Sequence, residues 1–94
     1  MRESTIEKKV CDYARQKGLI VMKLSGVNQK GQPDRMFLKN GQSLFIEFKA
    51  PGKLPTALQY RWLSQLRSEG FMASHCDNTE SGISTIDEFI EHAS

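Results

Sequence analysis

Residues 34–48 read DRMFLKNGQSLFIEF, and this stretch predicts two short strands joined by a tight turn. Asn40 and Gly41 stand between two apolar runs, and Asn-Gly is the strongest short-range signal of a β-hairpin. We therefore expect antiparallel strands over 34–38 and 43–48. The hairpin decides the fold because it fixes which residues of the two strands face each other.

The flanking sequence predicts helices and further strands on both sides of this hairpin. Ser4 followed by Glu7 has the spacing of a capping box, so we expect a first helix that begins at Ser4 and stops before Gly18. The other predicted elements are a strand over 19–24, a loop over 25–33, a helix over 56–69 with Thr56 as its cap, a strand over 71–76, and a helix over 84–91 with Ser84 as its N-cap and Asp87 at the third helical position.

The predicted element order is α-β-β-β-α-β-α within a single domain, residues 1–94. A helical crossover between the third and fourth strands favours a parallel pair, since parallel neighbours need such a connection. The hairpin makes the second and third strands antiparallel. We therefore predict an α/β fold with a small mixed four-stranded sheet flanked by helices.

Composition excludes several classes of protein. The chain has 94 residues, 38% of them hydrophobic, and no apolar run approaches the ~20 residues needed to cross a bilayer. The two cysteines form no pattern typical of a zinc module. We see no signal peptide and expect a cytoplasmic protein with no small-molecule cofactor and no membrane partner.

Charge is divided unevenly along the chain. Residues 1–67 contain all 13 Lys and Arg against five acids, a formal charge of +8, whereas residues 68–94 contain six acids and no Lys or Arg, which gives −6. A basic body of this kind suits a polyanion such as DNA. A solvated surface of mixed charge explains the same numbers.

Acidic and basic side chains interrupt the apolar third strand. Counting back from the Asn-Gly turn places Glu47 opposite Asp34, and Lys49 shares a strand face with Glu47. Two carboxylates with a lysine are what a hard divalent cation and phosphate chemistry require. The alternative is a surface ion pair of Lys49 with Asp34 or Glu47, which explains less well why all three groups lie in apolar strands.

These residues resemble a known nuclease signature. Pro33-Asp34, twelve residues and Glu47-Phe48-Lys49 are similar to the PD-(D/E)XK pattern. The surrounding sequence resembles the virus-type replication-repair nuclease (VRR-NUC) domain over roughly residues 5–76. The matching residues are Glu7, Gly31-Gln32-Pro33-Asp34, Glu47-Phe48-Lys49-Ala50-Pro51-Gly52-Lys53-Leu54 and Gln59-Tyr60-Arg61-Trp62-Leu63.

The resemblance implies a restriction-endonuclease-like fold and a cation site for Mg²⁺ or Mn²⁺. Asp34 and Glu47 would be metal ligands, and the backbone carbonyl of Phe48 would be a third. Glu7 would approach the metal from the first helix, directly or through water. The alternative for Glu7 is the capping box described above.

The resemblance also implies catalytic groups, and the basic residues near them are candidates for DNA binding. Lys49 would act on the attacking water, and Gln59 would hold Lys49 or that water in place. These candidates for contacts to DNA phosphates are Lys8, Lys30, Lys53 and Arg61. Arg35 is a weaker candidate, because it is expected to alternate away from Asp34.

The function implied by the resemblance is a metal-dependent DNA endonuclease with a role in DNA repair, in the cytoplasm of a bacterium or of a bacterial host of a phage. Stand-alone members resemble Holliday-junction resolvases, so we expect a homodimer that acts on branched DNA. The alternative is a catalytically weak or inactive nucleic-acid-binding module that keeps the nuclease fold. A small scaffold protein assembled through the divided charge is a third hypothesis, and it leaves the clustered carboxylates unexplained.

Overall fold

The computed structural model describes residues 1–24 and 30–94, so most of the loop predicted over 25–33 lies outside the described residues. No helix in these two ranges is both long and apolar enough to cross a membrane. The elements in chain order are α1 (Glu3–Gln16), β1 (Ile20–Lys23), β2 (Arg35–Lys39), β3 (Gln42–Phe48), α2 (Ala57–Ser68), β4 (Met72–Cys76) and α3 (Thr79–Ala93).

The four strands form one mixed sheet in the order β1-β2-β3-β4. β2 pairs with both β1 and β3 in antiparallel fashion, and β3 pairs with β4 in parallel. At the β2–β3 turn Asn40 and Gly41 both have positive φ, 50° and 78°, as a two-residue hairpin turn requires. The α/β fold, the hairpin and the parallel pair predicted from the sequence are confirmed.

Helices cover both faces of the sheet. The core lies between one face and the pair α1 and α3, where Leu44, Ile46 and Phe48 are completely buried. The opposite face carries Glu47, and a side chain of α2 contacts it there. The strand alternation predicted for β3 is therefore observed, and it sends the charged side chains of β3 away from the apolar core.

The predicted capping box at the first helix is wrong. α1 begins at Glu3 with Arg2 as its N-cap residue, and no side chain caps it. Glu7 instead accepts a 2.6 Å hydrogen bond from Nε of Arg35 on β2. A charge-assisted bond of this kind is stronger than a bond to a neutral backbone N–H, so Glu7 is turned toward the sheet and away from Ser4.

The predicted start of the last helix is also wrong. α3 begins at Thr79, five residues earlier than expected, and Asn78 is its N-cap, with a side chain that accepts from Ser81 N at 2.8 Å. Ser84 lies inside the helix, and Asp87 accepts a hydrogen bond from the Tyr13 hydroxyl of α1. The longer helix is stabilised because it packs along α1. Local sequence signals do not predict this contact between distant elements.

Candidate active site

Asp34 lies immediately before β2, beside the end of β3. Its backbone N–H donates to the carbonyl of Ile46 at 3.1 Å, although Ile46 is the residue that pairs with Arg35 in the β2–β3 ladder. Its Oδ2 accepts a 2.7 Å hydrogen bond from the backbone N–H of Phe48. Burial raises the pKa of Asp34, the Phe48 N–H opposes that rise, and the nearby charge of Glu7 adds to it.

Glu47 is the one charged residue among those described that is buried, with 3% exposure. Its Oε2 accepts from Gln59 Nε2 at 2.9 Å and lies 3.4 Å from Lys49 Nζ. Its Oε1 is buried, and no described residue donates a hydrogen bond to it. Burial first, and then the charge of Asp34, raise the pKa of Glu47 to about 7, although Lys49 acts in the opposite direction.

Lys49 is held beside Glu47 at the end of β3. Its backbone N–H donates to the Cys76 carbonyl of β4 at 2.9 Å, which fixes the chain at this point. The side chain keeps 17% exposure, compared with 4% for the Glu47 side chain. Lys49 is therefore more exposed to solvent than the carboxylate with which it pairs.

Gln59 contacts the site from the first turn of α2. Its side-chain oxygen accepts from the backbone N–H of Thr56 at 2.8 Å, and Thr56 caps the helix in return. The amide nitrogen of Gln59 donates to Glu47. The structure thus brings Gln59 to Glu47, the carboxylate that Lys49 also contacts, and the role predicted for Gln59 in holding Lys49 or a water stays a prediction.

Glu7 lies near Asp34, whose pKa its charge helps to raise, but its own partner lies outside the site. It forms its ion pair with Arg35, and each of the two side chains has 18% exposure. Among residues 1–24 and 30–94, no group of three or more His, Cys, Asp or Glu side chains lies close enough to hold a metal ion. The side-chain carboxylates placed at one point are therefore those of Asp34 and Glu47, and ligation by Glu7 stays a prediction.

Comparisons with known proteins agree on one family. A solved structure described as a VRR_NUC domain has a TM-score of 0.79, covers 98% of this chain and 97% of its own, and is 26% identical. "Putative nuclease p44" of Acyrthosiphon pisum secondary endosymbiont phage 1 is 36% identical over 81 residues, which are 85% of this chain and 87% of that protein. The chain belongs to the VRR-NUC family. No protein-family model matches it.

Membership of the VRR-NUC family confirms the resemblance drawn from the motif residues. Asp34, Glu47 and Lys49 of that motif lie at the shared end of β2 and β3.

His75 stands beside the site of this VRR-NUC domain, and motif reasoning does not single it out. The parallel β3–β4 register places His75 directly opposite Glu47. Its ring packs edge-on against Tyr60 with centroids 5.6 Å apart, and its Nδ1 is buried with no hydrogen-bond partner in the described part of the chain. Only the strand register reveals this neighbour, and the sequence does not fix the register of a parallel pair.

The basic residues predicted to contact DNA are divided between the two sides of the VRR-NUC sheet. Lys53 lies in the loop that leads into α2, Arg61 is exposed on α2, and the Lys30 carbonyl accepts a 2.9 Å bond from the Trp62 indole of α2. Lys8 is on α1, on the opposite face, and pairs with Asp12 at 2.6 Å. Three of the four candidates are therefore grouped around α2.

Proposed function

We propose that this chain is an endonuclease that hydrolyses phosphodiester bonds of DNA and depends on Mg²⁺ or Mn²⁺. The observation that carries the proposal is the convergence of Asp34, Glu47 and Lys49 at one end of the β2–β3 hairpin. Family membership supports nuclease chemistry in general. The metal, the substrate and the residue roles are inferred from the chemistry of the side chains.

The residues fit a hard divalent cation. Glu47 Oε1 is a buried acceptor with no donor among the described residues, and such an oxygen is unfavourable unless something satisfies it. Burial raises the pKa of both carboxylates, and the charge of Asp34 raises that of Glu47 further, so a cation beside them would offset both effects. Mg²⁺ is commonly bound by one or two carboxylates together with water and substrate phosphate, which matches this donor set.

Asp34 and Glu47 would hold the ion, together with the Phe48 carbonyl. In an antiparallel ladder the N–H and C=O of one residue point to the same side, so we expect the Phe48 carbonyl on the side of Asp34, to which its N–H donates. When bound, the cation stabilises the negative charge that develops on the phosphodiester and makes water a better nucleophile.

Lys49 and Gln59 would assist the reaction without holding the ion. The Lys49 ammonium can orient the attacking water and offset charge on the phosphate oxygens, a role that is strongest in the transition state. Gln59 keeps Glu47 in one rotamer through its 2.9 Å bond. A fixed carboxylate is needed because catalysis depends on near-ideal placement of the reacting groups.

Branched DNA bound by a homodimer is the finer part of the proposal. Specific protein–DNA interfaces usually bury ~1,000 Å² or more, which is a large area for one small domain. A two-fold pair would double the contact and present two sites to a branched substrate. The acidic α3 packs on the face of the sheet opposite α2, which keeps its carboxylates away from phosphates bound around α2.

The alternative is a nucleic-acid-binding module that keeps the fold without the chemistry. That alternative predicts that one or more of the metal-binding and catalytic groups is missing. Here Asp34, Glu47, Lys49 and Gln59 are all present, and three of them are joined by side-chain contacts. The intact set favours the enzyme.

Calorimetric titration with Mn²⁺ tests the metal site directly. We expect saturable binding to the wild type and a loss of at least roughly tenfold in affinity in Asp34→Asn, which keeps the size of the side chain. Asp12→Asn is the matched control, because Asp12 pairs with Lys8 on α1 and should leave the affinity unchanged. Equal affinity in wild type and Asp34→Asn would remove Asp34 from the metal site.

A further inference from the structure

The Glu7–Arg35 pair joins α1 to the end of β2 where the acidic site lies. Arg35 follows Asp34 in the chain, and its Nε donates to Glu7 Oε2 at 2.6 Å. Both side chains retain 18% exposure, so the pair is largely shielded from water while still in reach of a ligand. Arg35 lies directly opposite the buried Ile46 in the β2–β3 ladder, so its side chain is on the face of the sheet that α1 covers.

Glu7 is close enough to influence the carboxylate of Asp34. Its charge contributes to the raised pKa of Asp34, yet the described residues contain no cluster of three acidic, His or Cys side chains at metal-binding distance. The Glu7 carboxylate is therefore already paired with the guanidinium of Arg35. A divalent cation and Arg35 would compete for it.

A guanidinium can leave one anion for another of similar geometry. Arginine binds carboxylates and phosphates with the same planar fork of donors, and a partly exposed pair is the kind that an incoming phosphate can reach. Exchange of Arg35 from Glu7 to a DNA phosphate would leave the Glu7 carboxylate free beside Asp34. Binding of DNA and binding of metal would then favour each other, because linkage between two sites is reciprocal.

We propose that Arg35 is a positioning residue that holds Glu7 away from the cation site and releases it when a DNA phosphate takes its place. The inference rests on the proposed function, because it assumes both a cation and a DNA substrate. It predicts that the DNA-free protein binds metal more weakly than it would if the Glu7 carboxylate were free. It also predicts that Arg35 contributes one phosphate contact when DNA is bound.

The first test measures Mn²⁺ affinity by calorimetry in the absence of DNA. Arg35→Gln should bind Mn²⁺ roughly fivefold more tightly or better, and Arg35→Lys should return toward the wild-type value because it keeps a cation next to Glu7. In a Glu7→Gln background, Arg35→Gln should change the affinity by less than about twofold, since the competing carboxylate is gone. If Arg35 acted only through its long-range charge, Arg35→Gln would raise the Mn²⁺ affinity equally in the wild-type and the Glu7→Gln backgrounds. That result would overturn the proposal.

Lys23→Gln is the matched control. Lys23 lies directly opposite Arg35 in the β1–β2 ladder, so its removal takes the same charge from the same end of the sheet. We expect it to change Mn²⁺ affinity by less than Arg35→Gln does. An equal gain in Lys23→Gln would show a general charge effect and would also overturn the proposal.

The second test measures DNA binding in chelator, where no cation is present. The dependence of log affinity on log salt should become shallower by about one unit in Arg35→Gln and should be unchanged in Glu7→Gln. An unchanged slope in Arg35→Gln overturns the phosphate exchange. Failure of the proposed function looks different, because the wild type itself would then bind no Mn²⁺.

Discussion

The side-chain amide of Gln59 joins Glu47 to the beginning of α2. Its nitrogen donates to Glu47 Oε2 at 2.9 Å, and its oxygen accepts from the Thr56 backbone N–H at 2.8 Å. One side chain thus completes a capping box and restrains a buried carboxylate. The orientation of Glu47 is therefore coupled to the integrity of the first turn of the helix.

Comparing a Gln59 variant with a variant of its capping partner Thr56 should separate these two roles. Gln59→Ala should lower both stability and the rate of DNA cleavage, because Glu47 loses its donor. Thr56→Ala should lower stability by about 1 kcal/mol and leave the cleavage rate close to wild type. The measurements are chemical denaturation and single-turnover cleavage; equal rates in the two variants would mean that Gln59 acts only as a cap.

Lys49→Ala should reduce the cleavage rate by several orders of magnitude while Mn²⁺ and DNA binding are kept. The reason is that its ammonium, 3.4 Å from Glu47, would act mainly in the transition state. Lys53→Ala is the control, since this exposed residue should affect DNA affinity and its salt dependence more than the rate. If binding and turnover fell together in Lys49→Ala, Lys49 would be a DNA contact only.

The stability of the metal-free protein should fall as the pH rises from about 4.5 to about 7. The pKa of Glu47 is raised from 4.5 to about 7 in the folded chain, so in this interval the folded state holds a proton that the unfolded state has lost. Stability falls wherever the folded state binds more protons, here by roughly 3 kcal/mol at most. Asp34, whose pKa is also raised, adds in the same direction.

Urea denaturation in chelator at about pH 5 and about pH 8 measures this dependence. Glu47→Gln should flatten the profile, because a neutral amide does not titrate. A wild-type midpoint that rises with pH over this interval would show that burial does not hold the proton on Glu47.

The Asn-Gly turn predicted the hairpin and, through it, that Asp34 and Glu47 lie close together. An Asn-Gly turn fixes the register of two strands, so counting residues from it brings Asp34 to the end of β3 that carries Glu47. The start of α3 did not follow, because Gly82 and its polar neighbours have weak helix propensity. Gly82 is buried where a Cβ would lie 2.5 Å from Val10 Cγ2, so the helix is stabilised by close packing that only the folded chain contains.

Local sequence patterns also did not predict that Glu7 pairs with Arg35. A capping box and an ion pair with Arg35 are both compatible with its position on α1, and the choice depends on how α1 lies against β2. His75 is a similar case, since its place beside Glu47 depends on the parallel β3–β4 register. Contacts between elements distant in sequence explain each difference.

A dimer that prefers branched DNA is the prediction that concerns assembly. Sedimentation at micromolar concentration should show a dimer, and a four-way junction should be cut faster than linear duplex of the same length. The physical reason is the small DNA contact that a single domain can make. A monomer that remains so on DNA and cuts linear duplex equally well would contradict both statements and leave the metal chemistry standing.

Cleavage of DNA with and without a divalent cation tests the central claim most directly. We predict cleavage by the wild type in Mg²⁺ or Mn²⁺, complete loss in excess chelator, recovery when the cation is restored, and a loss of several orders of magnitude in Asp34→Asn. Asp12→Asn, purified in the same way, should cleave like the wild type and so exclude a contaminating nuclease as the cause of the difference. Undiminished cleavage in excess chelator, or by Asp34→Asn, would contradict the account.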